Sequence, residues 1–232
     1  MNQHVVMVAG GTGTRMRQAT AKQLIIVEGL PLMWWTLRRF REALPTAEVT
    51  LVLHEGLFGS FRDLQQTHGE AGVHRIVPGG AERFHSVAAG LATLPNQGVV
   101  GIHDAVRPFP SVETIQRCFG LAEEHGSAIP VVPVKDSIRT LDEAGSEAVP
   151  RDKLRAVQTP QCFDLGMLKA AFRTEYHPSF TDDASVFEHA GHRVHLCEGD
   201  PWNVKVTTPE DLLIAAAFVR ASMPPEESIP TR

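Results

Sequence analysis

The segment Val8-Ala9-Gly10-Gly11-Thr12-Gly13-Thr14-Arg15-Met16, followed closely by Ala21-Lys22-Gln23, joins a glycine turn to two cations directly after an apolar run at residues 4–8. Glycines let the backbone approach a ligand that side chains would hold off, and the exposed N–H groups of such a turn can cradle phosphate oxygens. The Gly-Lys-Ser/Thr ending of a P-loop is absent, and Met16 stands where a dinucleotide fingerprint has its third glycine. Arg15 and Lys22 instead place two positive charges near the turn, which suits a reaction that builds negative charge on a phosphorus centre. The outline is that of a nucleotide site.

Three further groups carry chemistry. In His103-Asp104-Ala105-Val106-Arg107-Pro108 the carboxylate follows an apolar run at 99–102, so Asp104 should end a strand with Arg107 one turn away. A carboxylate there can serve a sugar hydroxyl or a metal ion; the plain alternative is an Asp104–Arg107 pair that fixes the turn. Gly79-Gly80-Ala81-Glu82-Arg83-Phe84-His85-Ser86 lets the backbone approach a flat ligand before a helix begins, with the Ser86 hydroxyl in its first turns. Lys205, in Asn203-Val204-Lys205-Val206-Thr207, lies between residues that a strand would bury, where a phosphate is a natural partner for the charge and snorkelling the alternative.

The elements that must position these groups alternate. Strand-like runs fall at 5–8, 49–53, 73–77, 99–103 and 128–134, with helical spacing at 31–44, 57–68, 81–94 and 112–125 between them. This pattern predicts an α/β fold, a Rossmann-like, mostly parallel twisted sheet with helices on both faces, whose ligands bind beyond the carboxyl ends of the strands. The polar stretch 135–159 is too long for an ordinary connection. Residues 137–141 and 148–154 can pair as an extended β-arm around a turn at 142–145, a shape that reaches onto a neighbouring subunit, with a surface loop as the alternative. Helical patterns at 164–175, 182–190 and 208–222 follow, with strands at 194–198 and 203–206; Thr208, Pro209 and Glu210-Asp211 form a helix start. The tail 224–232 is expected to be disordered.

With 232 residues, 43% of them apolar, the chain can bury a full core, and one domain over 1–232 is expected. No segment approaches a membrane span or a signal peptide, which predicts a cytoplasmic protein. A net charge of −5 argues against general nucleic-acid binding. The three cysteines, Cys118, Cys162 and Cys197, show neither a disulfide framework nor a zinc spacing and read as packing residues. His189, His192 and His195 diverge across Gly191 and read as solvated rather than as a metal site. Trp34 and Trp35 cannot share a helix face, and Trp202 either walls the substrate pocket or packs.

Taken together, Ala9-Gly10-Gly11-Thr12-Gly13-Thr14-Arg15-Met16, Lys22-Gln23, Gly79-Gly80-x-Glu82-Arg83-x-x-Ser86, His103-Asp104-Ala105-Val106-Arg107-Pro108, Thr159-Pro160-Gln161, Thr181-Asp182-Asp183-Ala184-Ser185 and Asn203-Val204-Lys205-Val206-Thr207-x-Pro209-Glu210-Asp211 make the chain resemble the 2-C-methyl-D-erythritol 4-phosphate cytidylyltransferases of non-mevalonate isoprenoid synthesis. The likeness covers nearly its whole length. It implies attack by a phosphate oxygen of methylerythritol 4-phosphate on the α-phosphorus of CTP, with release of pyrophosphate and no covalent enzyme intermediate. Positioning and electrostatics would then supply most of the catalysis. By this resemblance Arg15 and Lys22 stabilise the developing charge, and Arg151 and Lys205 position the attacking phosphate. Ala9, Gly10, Gly11, Thr12, Gly13, Gly80, Ser86 and Asp104 bind the nucleotide. Asp104, Arg107 and Thr159 bind the acceptor, joined by Ser137 from a partner's arm. Mg²⁺ rides mainly on the CTP phosphates, and the family is generally a homodimer through the arm.

The chain departs from this pattern at two positions. Ala81 stands where the family often has an acidic residue, which bears on the choice of CTP over UTP. Ser137 replaces a threonine and keeps its hydroxyl. Arg155 lies close enough to Arg151 that a register slip would exchange their roles. The rival readings are a ribitol 5-phosphate cytidylyltransferase, a nicotinamide-dependent oxidoreductase that Met16 disfavours, and a nucleotide-binding protein without catalysis.

Overall fold

Strands and helices alternate along the chain in the computed structural model, which describes residues 1–10, 21–143 and 145–222. In order these are β1 (Gln3–Ala9), β2 (Ile26–Val27), β3 (Leu30–Pro31), α1 (Leu32–Ala43), β4 (Glu48–Leu53), α2 (Phe58–His68), β5 (Arg75–Pro78), α3 (Arg83–Ala92), β6 (Val99–Asp104), α4 (Val112–His125) and β7 (Ser127–Pro133). There follow β8 (Ile138–Asp142), β9 (Gly145–Val149), β10 (Arg155–Val157), β11 (Gln161–Asp164), α5 (Leu165–Ala171), α6 (Asp183–His189), β12 (Leu196–Glu198) and α7 (Pro209–Ser222). The main sheet has the order β10-β7-β11-β6-β1-β4-β5, with β12 also on β7.

β1 runs parallel to both β4 and β6, and β4 to β5. The chain therefore leaves β1 toward β4 and β5 and later returns to its other side as β6. That reversal opens a crevice at the carboxyl ends of β1 and β6. The strand period of two divides the core. Val5 and Met7 face α1 and α4 through Phe40 and Phe119, while Val6 faces α3, α5 and α6 through Val87, Leu168 and Phe187. Helices cover both faces, as the patterning predicts. α7 closes a third cluster in which Val206, Ala215 and Val219 meet Val106 and Phe109.

Local chemistry sets the helix ends that matter for the site. Ser111 caps α4 through Thr114 N–H, and Gly126 ends it in the left-handed region. Asp182 and Ser185 form a reciprocal capping box on α6. The Asp211 carboxylate accepts from the N–H groups of Thr207 and Thr208 at the start of α7, and the Thr208 hydroxyl accepts from Asp211 N–H.

Several expectations need correction. The second arm strand is 145–149 rather than 148–154, because Pro150 has no N–H with which to continue the ladder and Arg151–Lys153 turns into a 3-10 helix. The arm itself is a hairpin that pairs Ile138 with Val149 and Asp142 with Gly145. Residues 203–206 form no strand; Asn203 and Val204 N–H turn back to Asp200 O and Trp202 O, and Val206 N–H reaches Val106 O. The helix expected at 164–175 stops at Ala171, and the chain beyond it stacks Phe172 and Phe180 on Phe84. β10 and β11 have no counterpart in the sequence pattern. β11 is a short antiparallel strand whose polar Gln161 is buried by tertiary hydrogen bonds, which no periodicity reveals. The cysteines, distant in sequence, approach in space, with Cys118 and Cys197 sulfurs 3.5 Å apart as free thiols. The tail 224–232 lies outside the described residues.

Trp34 is buried and donates to Gly69 O, while Trp35 is part-buried and donates to Val27 O. Trp202 is exposed and packs on Phe218. His189, His192 and His195 lie against Phe180, Phe187 and His125 respectively, so they do diverge.

Two helical glycines should respond oppositely to alanine. A Cβ on Gly90 of α3 would stand 2.6 Å from a Val6 methyl and 3.0 Å from one of Val52, whereas at Gly59 of α2 nothing lies within 4 Å. Gly90→Ala is expected to cost about 1–3 kcal/mol through overpacking despite its better helix propensity, and Gly59→Ala to stabilise by about 0.5–1 kcal/mol. Urea unfolding of the two variants checks both signs.

Candidate active site

The parallel ladder brings the ends of β1, β4 and β6 level, pairing Val8 with Asp104 and Ala9 with Leu53. Beyond these ends lies a cavity of about 400 Å³, a size that admits a nucleotide-like ligand. Gly10, Gly80 and Ser86 form one wall, and Gly79 approaches Gly10 closely behind it: a Cβ on Gly79 would lie 3.3 Å from Gly10 Cα, and one on Gly10 would lie 2.9 Å from Ser86 Oγ. No side chain fits between them. The Ser86 hydroxyl, from the first turn of α3, accepts from Gly80 N–H at 3.1 Å and keeps its own hydrogen to donate. Gln23 is buried beside Lys22 and donates to Ala9 O at 2.9 Å, which ties the Lys22 segment to the end of β1.

Opposite this wall stands a charge cluster around Asp104. Lys205 Nζ lies 2.8 Å from Asp104 Oδ2, Arg107 Nε 3.6 Å from the same oxygen, and Arg83 Nε 3.5 Å from Oδ1. Burial alone would raise the Asp104 carboxyl, but Arg83, then Lys205 and Arg107, together hold it well below the usual carboxylate range. A carboxylate so stabilised as an anion is a poor proton acceptor, so Asp104 orients and neutralises rather than acting as a general base. Arg83 is in turn clamped by Asp183 of α6, at 2.8 and 2.6 Å through its two terminal nitrogens. That bidentate geometry is the geometry of an ionised pair, and Arg83 offsets part of the burial that pushes the Asp183 carboxyl up.

Beneath the charges lies a polar layer. Thr159 Oγ1 accepts from Asp104 N–H at 3.2 Å and meets His103 Nδ1 at 3.0 Å, while His103 Nε2 lies 3.0 Å from Arg107 O. A carbonyl only accepts, so Nε2 carries the proton and Nδ1 accepts from the Thr159 hydroxyl. Asn203 is buried and donates to Thr159 O at 2.7 Å, and its own carbonyl accepts from Arg107 at 2.9 Å. This pins the segment that carries Lys205 without any ladder.

The structure thus brings Ala9, Gly10, Lys22, Gly80, Ser86, Asp104 and Lys205 to one cavity, with Arg107 and Thr159 directly behind it. Gly11, Thr12, Gly13 and Arg15 lie outside the described residues. Ser137 and Arg151 flank the hairpin and do not line the cavity of their own chain; Arg151 donates to Lys135 O, and Arg155 donates to Asp152 O and Leu154 O. Side-chain alternation does not explain Lys205, which is 40% exposed on a segment that is not a strand. Four contributors were missed as site residues: Arg83, Asp183, His103 and Asn203. Each lay inside a quoted motif, but its partner is distant in sequence. Ala81 and Glu82 also line the cavity. Among the described residues no group of three histidine, cysteine or carboxylate side chains could hold a metal ion, and no helix is long and apolar enough to cross a membrane.

A glycine-bordered crevice at the carboxyl edge of the parallel strands, faced by cations gathered on one carboxylate, suits an anionic, nucleotide-like ligand in an α/β fold. The model of the 2-C-methyl-D-erythritol 4-phosphate cytidylyltransferase family matches residues 3–221. A protein of that name from Bacteroides thetaiotaomicron is 45% identical over 219 residues, 94% of this chain and 100% of that protein. Among solved structures, the cytidylyltransferase of that name from Thermus thermophilus superposes with a TM-score of 0.76 at 31% identity, covering 95% of this chain and 100% of the other. The 4-diphosphocytidyl-2C-methyl-D-erythritol synthase from Anaerococcus prevotii gives 0.79 at 27%, covering 94% and 96%. The chain belongs to the 2-C-methyl-D-erythritol 4-phosphate cytidylyltransferase family.

Burial pushes His103 down to about 4, below the ordinary 6.5 of the unfolded chain. The unfolded state therefore takes up the proton first. The contribution of neutral His103 is complete above pH 6.5 and is lost as pH falls toward 4, about 3 kcal/mol in all. Unfolding free energies measured from pH 7 to 4.5 should fall, and His103→Gln should flatten that slope. An unchanged slope in the variant would remove His103 as its source.

Proposed function

We propose that this chain transfers the cytidylyl group of CTP to 2-C-methyl-D-erythritol 4-phosphate, releasing pyrophosphate, as one nucleotidyltransferase domain. The observation that carries the reading is the meeting, in one cavity, of Gly10, Gly80 and Ser86 with Asp104 and the cations Arg83 and Lys205 held on it. The wall suits a flat base: it leaves backbone groups and the Ser86 hydroxyl facing the space, and the hydroxyl hydrogen is free to donate to a ring carbonyl. Ala9, Gly10 and Gly80, with Gly11, Thr12 and Gly13 of the same turn, bind the nucleotide in this reading.

The attacking phosphate oxygen of the acceptor is already an anion near neutrality, so the reaction needs no base, in keeping with the low basicity of Asp104. What it needs is positive charge in the right places. Lys205 and Arg107 receive the acceptor phosphate and hydroxyls beside Asp104, with Thr159 fixing the Asp104 backbone from below. Lys22 and Arg15 take the charge that develops on the α-phosphate. Mg²⁺ arrives on the CTP phosphates as part of that substrate; the donor set of the described residues offers it no cage. Ser137 and Arg151 complete the site only if the hairpin of one subunit reaches the cavity of another, so the reading includes a homodimer. It also includes a cytoplasmic setting.

Pyrophosphate release should be strong with Mg-CTP and methylerythritol 4-phosphate, and weak with ribitol 5-phosphate as acceptor or UTP as donor. Release with ribitol 5-phosphate alone would move the chain to the rival transferase. Lys22→Ala should lower kcat by about 100-fold or more with an unchanged far-ultraviolet spectrum; near-normal turnover would remove Lys22 from the transition state.

A further inference from the structure

We propose that Arg83 is a positioning residue: clamped by Asp183, it shares the Asp104 carboxylate and so keeps Lys205 and Arg107 available to an incoming phosphate. This rests on the function proposed above. Arg83 spends both terminal nitrogens on Asp183, at 2.8 and 2.6 Å, and turns its Nε edge to Asp104 at 3.5 Å. The clamp itself is fixed. Asp183 N–H and Ala184 N–H both donate to Gln161 Oε1, and Gln161 Nε2 donates to Asp182 Oδ2. A planar guanidinium gripped on one side cannot follow a ligand, so its other edge is a stationary charge.

Lys205 differs in every respect. It is 40% exposed, on a flexible stem, and 2.8 Å from Asp104. Each cation that Asp104 already faces weakens its hold on the next, so the fixed Arg83 loosens the Lys205–Asp104 contact and lowers the cost of handing Lys205 to a phosphate. The charges also count. Arg83, Arg107 and Lys205 stand against Asp104 and Asp183, while Asp182 also acts on Arg83, and Glu82 and Lys22 line the same cavity. Replacing Arg83 and Asp183 together by neutral residues leaves the net charge of the site unchanged and removes only the brace.

The decisive variant is therefore Arg83→Met with Asp183→Asn, which leaves no unpaired buried charge; Arg83→Lys, which cannot span both carboxylates, is its partial counterpart. Relative to the wild type, the paired variant should remain folded and raise KM for the acceptor by about tenfold or more, with KM for CTP within about twofold. Among the described residues the charged groups facing Asp104 are Arg83 from α3, Arg107 from the turn after β6 and Lys205 from the segment before α7, with neutral His103 beside it in the chain and Lys22 lining the same cavity. With one cation gone, the Asp104 carboxyl, followed by carbon-detected NMR titration, should move toward the ordinary carboxylate range. The acid limb of kcat/KM should move with it. A lower melting temperature with unchanged acceptor KM and unchanged Asp104 titration would overturn the proposal and leave Arg83 a structural brace. A rise confined to KM for CTP would also overturn it, making Arg83 a nucleotide contact. If the wild type releases no pyrophosphate, the functional reading fails, and the Asp104 titration still decides whether Arg83 acts on Asp104.

Discussion

A carboxylate that ends a central strand has to be paired, and the site of this protein is organised by that requirement. Asp104 is only 7% exposed, and an isolated charge there would cost several kcal/mol. Arg83, Arg107 and Lys205 answer it from three separate elements, and each is held by further contacts. Asp183 and Gln161 hold Arg83, and Asn203 holds both Arg107 and the segment of Lys205. The need to neutralise one buried group thus recruits α3, α6, β11 and the segment before α7. The exposed Lys205 on this cluster is what an anionic substrate meets.

The sheet supplies the place. Because the chain runs from β1 to one side and returns to the other, the segments leaving the paired ends of β1 and β6 diverge, and loops there are not closed over by a crossover helix. Glycines at 10 and 79 let two of those loops touch at backbone distance. This leaves a slot lined by backbone and one hydroxyl on one side and by charges on the other. A flat base and a phosphate fit such a division of labour, since the first is recognised by hydrogen bonds and apolar contact and the second by cations.

The same geometry limits the chemistry. A carboxylate held low by three cations does not collect protons, and the buried histidine behind it is neutral with both ring nitrogens engaged. What remains is stabilisation of charge and alignment of two phosphates, which is what in-line phosphoryl chemistry asks of a protein. Among the described strands, the hairpin of β8 and β9 pairs only within itself and carries an exposed Leu141.

Much of this was legible in the residues. The α/β class, the helices on both faces and the glycine, aspartate and lysine motifs follow from local periodicity and from the backbone freedom of glycine, properties that act over a few residues. The resemblance to one transferase family likewise rests on motifs read in order along the chain. Tertiary structure alone decided the rest. Arg83 meets Asp183 across 100 residues, and Asn203 meets Thr159 across 44. β11 enters the sheet antiparallel with a buried glutamine, and residues 203–206 stay out of it although their pattern suits a strand. The physical reason is common to all four: burying a polar or charged group is acceptable only where a partner arrives from elsewhere in the chain, and the arrival of that partner is a property of the fold rather than of the neighbouring sequence.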